Sequence, residues 1–321
     1  MNRVEEKTEL EANDFGTVVH LALERYAREQ LARTERGLAQ LRDAADIARA
    51  LVAIMAGIRA GFGANPSVNM RLQLDAAEER LKCFARIQAR WAEEGWQVAA
   101  EPEYGFTTRP FAGEGAADVH VKGSVDRIDW KEGVGYRLID YKTWDRRAGA
   151  AGRILGGGAA QCAHAARLGL PLVDAGGAQS ARKRFLSVQL PLYGRCLETV
   201  DPRRFHGQIA DYCYVLLGAT AADAVVLGSA FDQGPFEAVR RRGGKLVLAS
   251  HLDAALETAR RAVRGIRENL FWPPGPTEEW KWEMKDVLFA SPEADFPVGT
   301  PWRDAQEAKL AARAGGEEVP A

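Results

Sequence analysis

The chain has 321 residues, of which 46% are hydrophobic, and its formal net charge at pH 7 is −1. This length and apolar content can build a large core as one elaborated domain or as two, whereas the near-zero net charge argues against a general attraction to polyanions. The opening segment is charged and no apolar run is long enough to cross a bilayer, so we expect a cytoplasmic protein without a membrane partner.

The first predicted element is a helix from residue 14 to about residue 31, with Asp14 as its N-cap. His20 and Glu24 lie four residues apart in this helix and therefore share one of its faces. The imidazole of His20 could join a metal site, and Glu24 could orient it or bind a metal-held water. The alternative is an exposed His–Glu pair that contributes roughly a few tenths of a kcal/mol.

A second long helix is predicted over residues 71–95, where apolar residues recur at spacings of three, four and seven. Three consecutive strands are predicted after it, at 97–106, 119–130 and 136–143. Glu103 falls on the first of these strands. It is a possible ligand of a metal ion or of metal-bound water, but strand alternation more often places such a residue in solvent.

The second and third strands form a predicted β-hairpin whose turn is centred on Gly133. This register pairs Asp126 with Asp140, and the alternation of strand side chains puts Asp140 and Lys142 on the same face. Two carboxylates about 4 Å apart repel by roughly 4 kcal/mol at an effective dielectric near 20. A positive charge is therefore expected between them, either Lys142 or a divalent cation. The alternative is a surface hairpin with a cross-strand ion pair.

Residues 144–187 form a predicted glycine-rich insertion, and loops of this length commonly serve as lids. A helix begins near Gln189, and Tyr193 lies one turn further along on the same face. The remaining predicted elements are two strands, a helix and a frayed polar tail, at 212–217, 224–227, 246–268 and 303–321.

Two basic clusters could contact nucleic-acid phosphates. The first directly precedes the Gln189 helix and consists of Arg182, Lys183 and Arg184. The second is a helical stripe formed by Arg260, Arg264 and Arg267. A solvated basic face explains the second cluster equally well, so the sequence leaves both interpretations open.

Three of these patterns occur in the order found in one enzyme family. The segment Gly16-Thr-Val-Val-His20-Leu-Ala-Leu-Glu24 is similar to a helix that precedes the nuclease core in RecB and AddB proteins. The Asp126 and Asp140-Tyr-Lys142 pattern resembles the PD-(D/E)XK nuclease motif, and Gln189-x-x-x-Tyr193 resembles the signature that follows it. The resemblance extends over roughly residues 11–275.

This resemblance implies a fold, domains and site residues. We expect an α/β fold with a PD-(D/E)XK core, in which helices flank a mixed central sheet behind a helical N-terminal elaboration. The implied domains are a helical part at 1–95, a nuclease core at 96–275 with its insertion at about 144–187, and a C-terminal extension at 276–321. The implied ligands of Mg²⁺ or Mn²⁺ are His20, Asp126 and Asp140. The implied catalytic residues are Asp126, Asp140, Lys142, Gln189 and Tyr193, with the lysine attending the attacking water.

Many relatives also carry an iron-sulfur cluster, held by one cysteine before the core and three clustered cysteines after it. The four cysteines of this chain lie at positions 83, 162, 196 and 213, without such a cluster or any close pair. We therefore expect no iron-sulfur cluster, and the spacing argues against a disulfide framework or a structural zinc site.

The resemblance implies a metal-dependent nuclease, most simply an exonuclease, that acts on single- or double-stranded DNA ends in repair or recombination, with a separate helicase subunit as a candidate partner. One alternative is a non-catalytic nucleic-acid-binding or scaffolding subunit that has kept the fold. Another is a restriction-type endonuclease, although the sequence shows no base-reading element.

Overall fold

The computed structural model describes residues 8–113, 119–143, 155–156, 165, 168–174, 182–218, 225–228, 240–242, 245–246, 249–270 and 299–315. The chain forms two compact units. The first consists of Met1–Thr108, Val121–Gly152 and Gln189–Glu237, and the second of Arg109–His120, Arg153–Val188 and Ala238–Ala321.

Three long helices open the first unit: α1 (Ala12–Glu35), α2 (Ala44–Ala60) and α3 (Val68–Glu93). Each presents an apolar stripe to a common core, which also receives residues of the central sheet. The predicted helices at 14–31 and 71–95 are confirmed with shifted ends. The N-cap prediction is wrong, because Asp14 lies inside the first turn of α1 and its carboxylate accepts the Glu11 N–H at 3.3 Å.

A mixed five-stranded sheet packs against these helices. In sheet order its strands are β1 (Gln97–Val98), β4 (Arg127–Lys131), β5 (Gly135–Lys142), β9 (Ile209–Leu216) and β10 (Val225–Gly228), and of these only β5 and β9 are parallel. A parallel pair needs a long crossover, and the chain between them includes α4 (Gln189–Val200) and α5 (Pro202–Phe205).

Two of the predicted strands are each divided in the structure. The predicted strand 97–106 is wrong as a single element, because β1 and β2 (Tyr104–Thr108) belong to different sheets. The predicted strand 119–130 is likewise divided at Asp126 into β3 (Val121–Val125) and β4, with β3 paired to β2. The hairpin prediction is confirmed, since Arg127 pairs with Ile139 and Lys131 with Gly135.

A buried ionic network lies between the central sheet and α3. Arg127, Asp129 and Arg137 are each at most 1% exposed. The Asp129 carboxylate accepts hydrogen bonds from both guanidinium groups, and the guanidinium of Arg137 lies 3.9 Å from the ring centroid of Trp91 and 4.2 Å from that of Trp96. Stacking on aromatic faces partly replaces the lost hydration of this cation.

The second unit contains short strands and two helices in its described part. The strands are β6 (Leu155–Gly156), β7 (Val173–Asp174), β8 (Arg182–Phe185), β11 (Arg240–Arg242) and β12 (Lys245–Leu246). The helices are α6 (Ala249–Arg267) and α7 (Pro301–Gly315). Part of the predicted 246–268 helix is thus strand β12, and the expectation of a frayed tail is wrong for the residues of α7.

Candidate metal-dependent active site

The C-terminal end of β5 carries an ion pair on the sheet face opposite the helical core. Lys142 Nζ lies 2.7 Å from Asp140 Oδ2, whereas Ile139 and Tyr141 belong to the core on the other face. The strand end is fixed by its neighbours. The Leu217 N–H donates to the Lys142 carbonyl oxygen at 2.8 Å, and Arg80 Nη1 donates to the Leu217 carbonyl oxygen at 2.7 Å.

Asp126 stands at the break between β3 and β4, beside this strand end. Its Oδ2 accepts a hydrogen bond of 2.7 Å from the Tyr141 N–H. Burial, reinforced by the negative charge of Asp140, raises the pKa of Asp126 to about 8. Burial raises the pKa of Asp140 as well, against the lowering effect of Lys142. Two crowded carboxylates with raised pKa values are the signature of a site that favours a cation.

His20 reaches the same place from α1. Its Nε2 lies 2.9 Å from the Tyr141 carbonyl oxygen, and its Nδ1 lies 3.4 Å from Asp126 Oδ2. Because a carbonyl oxygen can only accept, Nε2 must carry the proton, and Nδ1 of the neutral imidazole then presents its lone pair to the carboxylate. With both groups deprotonated, as metal binding requires, the Asp126 carboxylate and Nδ1 face each other as two acceptors, an arrangement that a cation between them would satisfy.

Glu103 joins these two side chains. Ligand atoms of His20, Glu103 and Asp126 all lie within 4.8 Å of one another. The Glu103 carboxylate accepts from Ser124 Oγ at 2.8 Å, and its N–H donates to the Asp126 carbonyl oxygen at 3.1 Å. Its backbone φ is +52°, a left-handed conformation that is uncommon outside glycine. Strain of this kind concentrates at functional sites.

The predicted strand 97–106 places Glu103 on the solvent side, whereas the structure places it with His20 and Asp126. A sequence signal against that strand existed, because Pro102 cannot donate to a strand ladder and is disfavoured inside a central strand. The proline marks the place where the chain leaves one sheet for the other, and Glu103 follows it directly.

These donors fit a hard divalent cation. Carboxylate oxygens suit Mg²⁺ and Mn²⁺, and imidazole is accepted by Mn²⁺. Neighbouring ligands of an octahedral ion with bonds of about 2.1 Å lie about 3.0 Å apart, close to the 3.4 Å between His20 Nδ1 and Asp126 Oδ2. The group of three does not include Asp140, which the structure holds with Lys142 and Gln189.

Gln189 links the ion pair to Tyr193 from the first turn of α4. Its Nε2 donates to Asp140 Oδ1 at 2.9 Å and lies 3.4 Å from Tyr193 Oη, and its Oε1 accepts from Lys142 Nζ at 3.3 Å. The Tyr193 ring packs over Gly123, where a Cβ would lie only 3.1 Å from Tyr193 Cε1. The spacing of four residues thus places Gln189 on Asp140 and brings Tyr193 next to Gln189.

Glu24 lies outside this group. Its Oε1 pairs with Arg28 Nη2 at 3.0 Å, and Arg28 Nη1 also binds Glu101 at 2.8 Å. Arg28 therefore ties α1 to the segment that leads to Glu103. In the structure Glu24 takes part in this link, whereas Glu103 lies with His20 and Asp126.

The two basic clusters belong to the second unit. The side chains of Arg182 and Lys183 lie outside the described residues, and Arg184 is half-buried. On α6, Arg260 pairs with Glu257 and its guanidinium lies 5.3 Å from the ring centroid of Phe111. Glu257 therefore offsets part of the charge of the predicted stripe. Farther along α6, Arg264 is half-buried and Arg267 is exposed.

A mixed sheet with such a site at a strand end is typical of metal-dependent nucleases. A family model described as the PD-(D/E)XK nuclease superfamily matches residues 1–168, slightly more than half of the chain. The chain belongs to the PD-(D/E)XK nuclease superfamily, whose members use divalent metal ions. No curated protein matches it with significant sequence similarity. Among the residues that the structure describes, no helix is both long and apolar enough to span a membrane.

Proposed function

We propose that the protein is a RecB/AddB-like deoxyribonuclease that uses Mg²⁺ or Mn²⁺ to hydrolyse phosphodiester bonds from DNA ends. The observation that carries this proposal is the convergence of His20, Glu103 and Asp126, from three separate segments, beside the Asp140–Lys142 pair. The three sequence motifs shared with RecB and AddB proteins support the finer assignment.

The proposed metal donors are His20, Asp126, Glu103 and Asp140. When bound, the cation would lower the pKa of the attacking water and neutralise charge that develops on the scissile phosphate. Asp140 would complete the donor set by exchanging one of its contacts with Lys142 or Gln189 for the ion. Because an imidazole makes the donor set softer than carboxylates alone, we expect Mn²⁺ to support activity better than Mg²⁺.

Lys142 would position the attacking water. Its ammonium group lies between Asp140 and Gln189, at 2.7 and 3.3 Å, so its direction is set by two partners. Gln189 and Tyr193 would hold this arrangement and orient the scissile backbone. Such positioning is a large part of catalysis in phosphoryl-transfer reactions.

The basic clusters of the second unit would contact the DNA backbone without reading bases. Phosphate contacts made by Arg and Lys give affinity that is independent of sequence and sensitive to salt. We therefore propose little base preference. A separate helicase subunit and a role in DNA repair or recombination remain proposals that rest on the RecB/AddB resemblance.

The direct test is cleavage of linear and covalently closed circular DNA, single- and double-stranded, with MnCl₂ or MgCl₂. We expect linear DNA to be degraded, closed circles to survive, and EDTA or Asp140→Ala to stop the reaction. Cutting of closed circles would instead identify an endonuclease. DNA binding without any cleavage in either metal would favour the non-catalytic subunit.

The role of Glu103 can be tested by substitution, with Glu101, two residues earlier, as the control position. Glu103→Gln should weaken Mn²⁺ binding and slow cleavage by about 10- to 100-fold, because it removes one charged donor while keeping the side-chain shape. Glu101 is 60% exposed on its side chain and pairs with Arg28, so Glu101→Gln should stay within about twofold of the parent. Calorimetric titration with Mn²⁺ measures both variants. Equal losses in the two would remove Glu103 from the donor set.

A further inference from the structure

The backbone of one core residue joins two of the proposed metal donors. Tyr141 is 3% exposed and its side chain points away from the face that carries Asp140 and Lys142. Its N–H donates to Asp126 Oδ2 at 2.7 Å, and its carbonyl oxygen lies 2.9 Å from His20 Nε2. The position of Tyr141 therefore determines how far the carboxylate and the imidazole stand from each other.

The side chain of Tyr141 is held from within the core. Its ring packs edge-on against the rings of Phe84 and His20, at centroid distances of 5.6 and 6.1 Å. Its hydroxyl oxygen lies 3.4 Å from Nη1 of Arg127. This last contact connects the donors to the buried ionic network.

Arg127 is itself rigidly held. Its Nε and Nη2 donate to the two carboxylate oxygens of Asp129 at 2.6 and 3.0 Å, and its Nη1 donates to Gln88 Oε1 at 2.7 Å. A fork-to-fork pair of this kind fixes the guanidinium plane. Burying such a pair gains little stability over apolar residues of the same volume, so stability alone does not account for it.

The charge balance of this network means that replacing Arg127 destabilises the protein less than replacing Asp129. Asp129 also accepts from Arg137 Nη2 at 2.8 Å, so two guanidinium groups share one carboxylate. Removing Arg127 leaves Asp129 paired one-to-one with Arg137. Removing Asp129 would instead leave two buried cations without their carboxylate, which is far more destabilising.

We propose that Tyr141 and Arg127 are positioning residues for metal binding: Arg127 fixes Tyr141, and the Tyr141 backbone sets the spacing of His20 and Asp126. The inference rests on the proposed function, since it assumes that these donors hold a divalent ion. Groups that orient metal ligands typically change metal affinity by about 10- to 100-fold when removed.

The test is calorimetric titration of Mn²⁺ into the full chain and into Tyr141→Phe, Arg127→Met and the double variant. We expect each single variant to bind Mn²⁺ about tenfold more weakly, with unchanged far-UV circular dichroism. Because both act through one contact, the double variant should be little worse than Arg127→Met.

The matched control is Tyr26→Phe. The Tyr26 hydroxyl is also buried, but it has no hydrogen-bond partner among the residues that the structure describes. Its removal should leave Mn²⁺ affinity at the parental value, which separates loss of positioning from loss of any buried hydroxyl.

Parental Mn²⁺ affinity in Tyr141→Phe would overturn the proposal, even if that variant melted at a lower temperature. If Arg127→Met does not fold, Tyr141→Phe alone decides between the two results. Failure of the parent to bind Mn²⁺ would be a different outcome, because it would remove the proposed function itself and the positioning role with it.

Discussion

Replacing Lys142 by alanine should slow DNA cleavage by about 10³-fold or more, a loss typical of a group that acts directly on the transferred proton or water. Mn²⁺ binding should stay near the parental value, because the ammonium group is not a metal donor. Loss of the 2.7 Å contact also leaves Asp140 Oδ2 available to the ion. Single-turnover cleavage with saturating Mn²⁺, combined with calorimetry, measures both quantities.

Lys131→Ala is the matched control for this variant. Lys131 lies at the opposite end of the β4–β5 hairpin, where it pairs with Gly135 beside the turn. Its substitution removes one lysine from the same pair of strands and should change cleavage by less than about twofold. Near-parental cleavage by Lys142→Ala would show that the attacking water is positioned by another group.

Asp126→Asn should weaken Mn²⁺ binding by at least about 10²-fold, since it removes a charged donor that the ion needs. The same substitution should stabilise the metal-free protein at alkaline pH. A neutral amide ends the repulsion between Asp126 and Asp140, and its oxygen can still accept the Tyr141 N–H. Melting curves in EDTA and in Mn²⁺ would show a gain in EDTA and loss of the metal response.

The pH dependence follows from the raised pKa of Asp126. Its carboxyl ionises near pH 3.8 in the unfolded chain and at about 8 in the folded protein, where burial and the charge of Asp140 oppose ionisation. Between these values Asp126 keeps in the folded state a proton that it has lost in the unfolded chain, so its contribution to stability falls as pH rises through that window and levels off above it. Asp126→Asn should flatten this decline in EDTA.

The affinity for Mn²⁺ should rise with pH, whereas the stability of the metal-free protein falls. The proton that Asp126 holds below pH 8 must leave before the carboxylate can bind an ion. Mn²⁺ affinity should therefore rise by up to about tenfold per pH unit and level off above pH 8. A flat affinity profile between pH 6 and pH 8 would show that Asp126 is not a direct ligand.

The hairpin was predictable because its determinants are local. Glycines fix the turn, and strand alternation then settles which side chains share a face. The helix faces that carry His20, Gln189 and Tyr193 are local in the same sense, because residue spacing within α1 and within α4 determines them. The catalytic and metal-binding roles of these residues remain predictions, and the experiments above test them.

The position of Glu103 could not be predicted from the sequence. It depends on a left-handed backbone at +52° and on Ser124, a residue of the partner strand. Neither is encoded in hydrophobic periodicity. The pair that Glu24 forms with Arg28 is local, four residues apart on α1, but the second contact of Arg28, with Glu101, joins residues 73 positions apart and could not be predicted from the sequence.

The imidazole and the carbonyl oxygen that orients it are separated by 121 positions along the chain. During translation, α1 therefore leaves the ribosome well before the strand that completes the centre, at synthesis rates of about 5–20 residues per second. In a nascent polypeptide, the contact between His20 and the Tyr141 carbonyl oxygen cannot form until Tyr141 has emerged. If the protein acts as proposed, metal loading and nuclease activity would begin only after β5 has been synthesised.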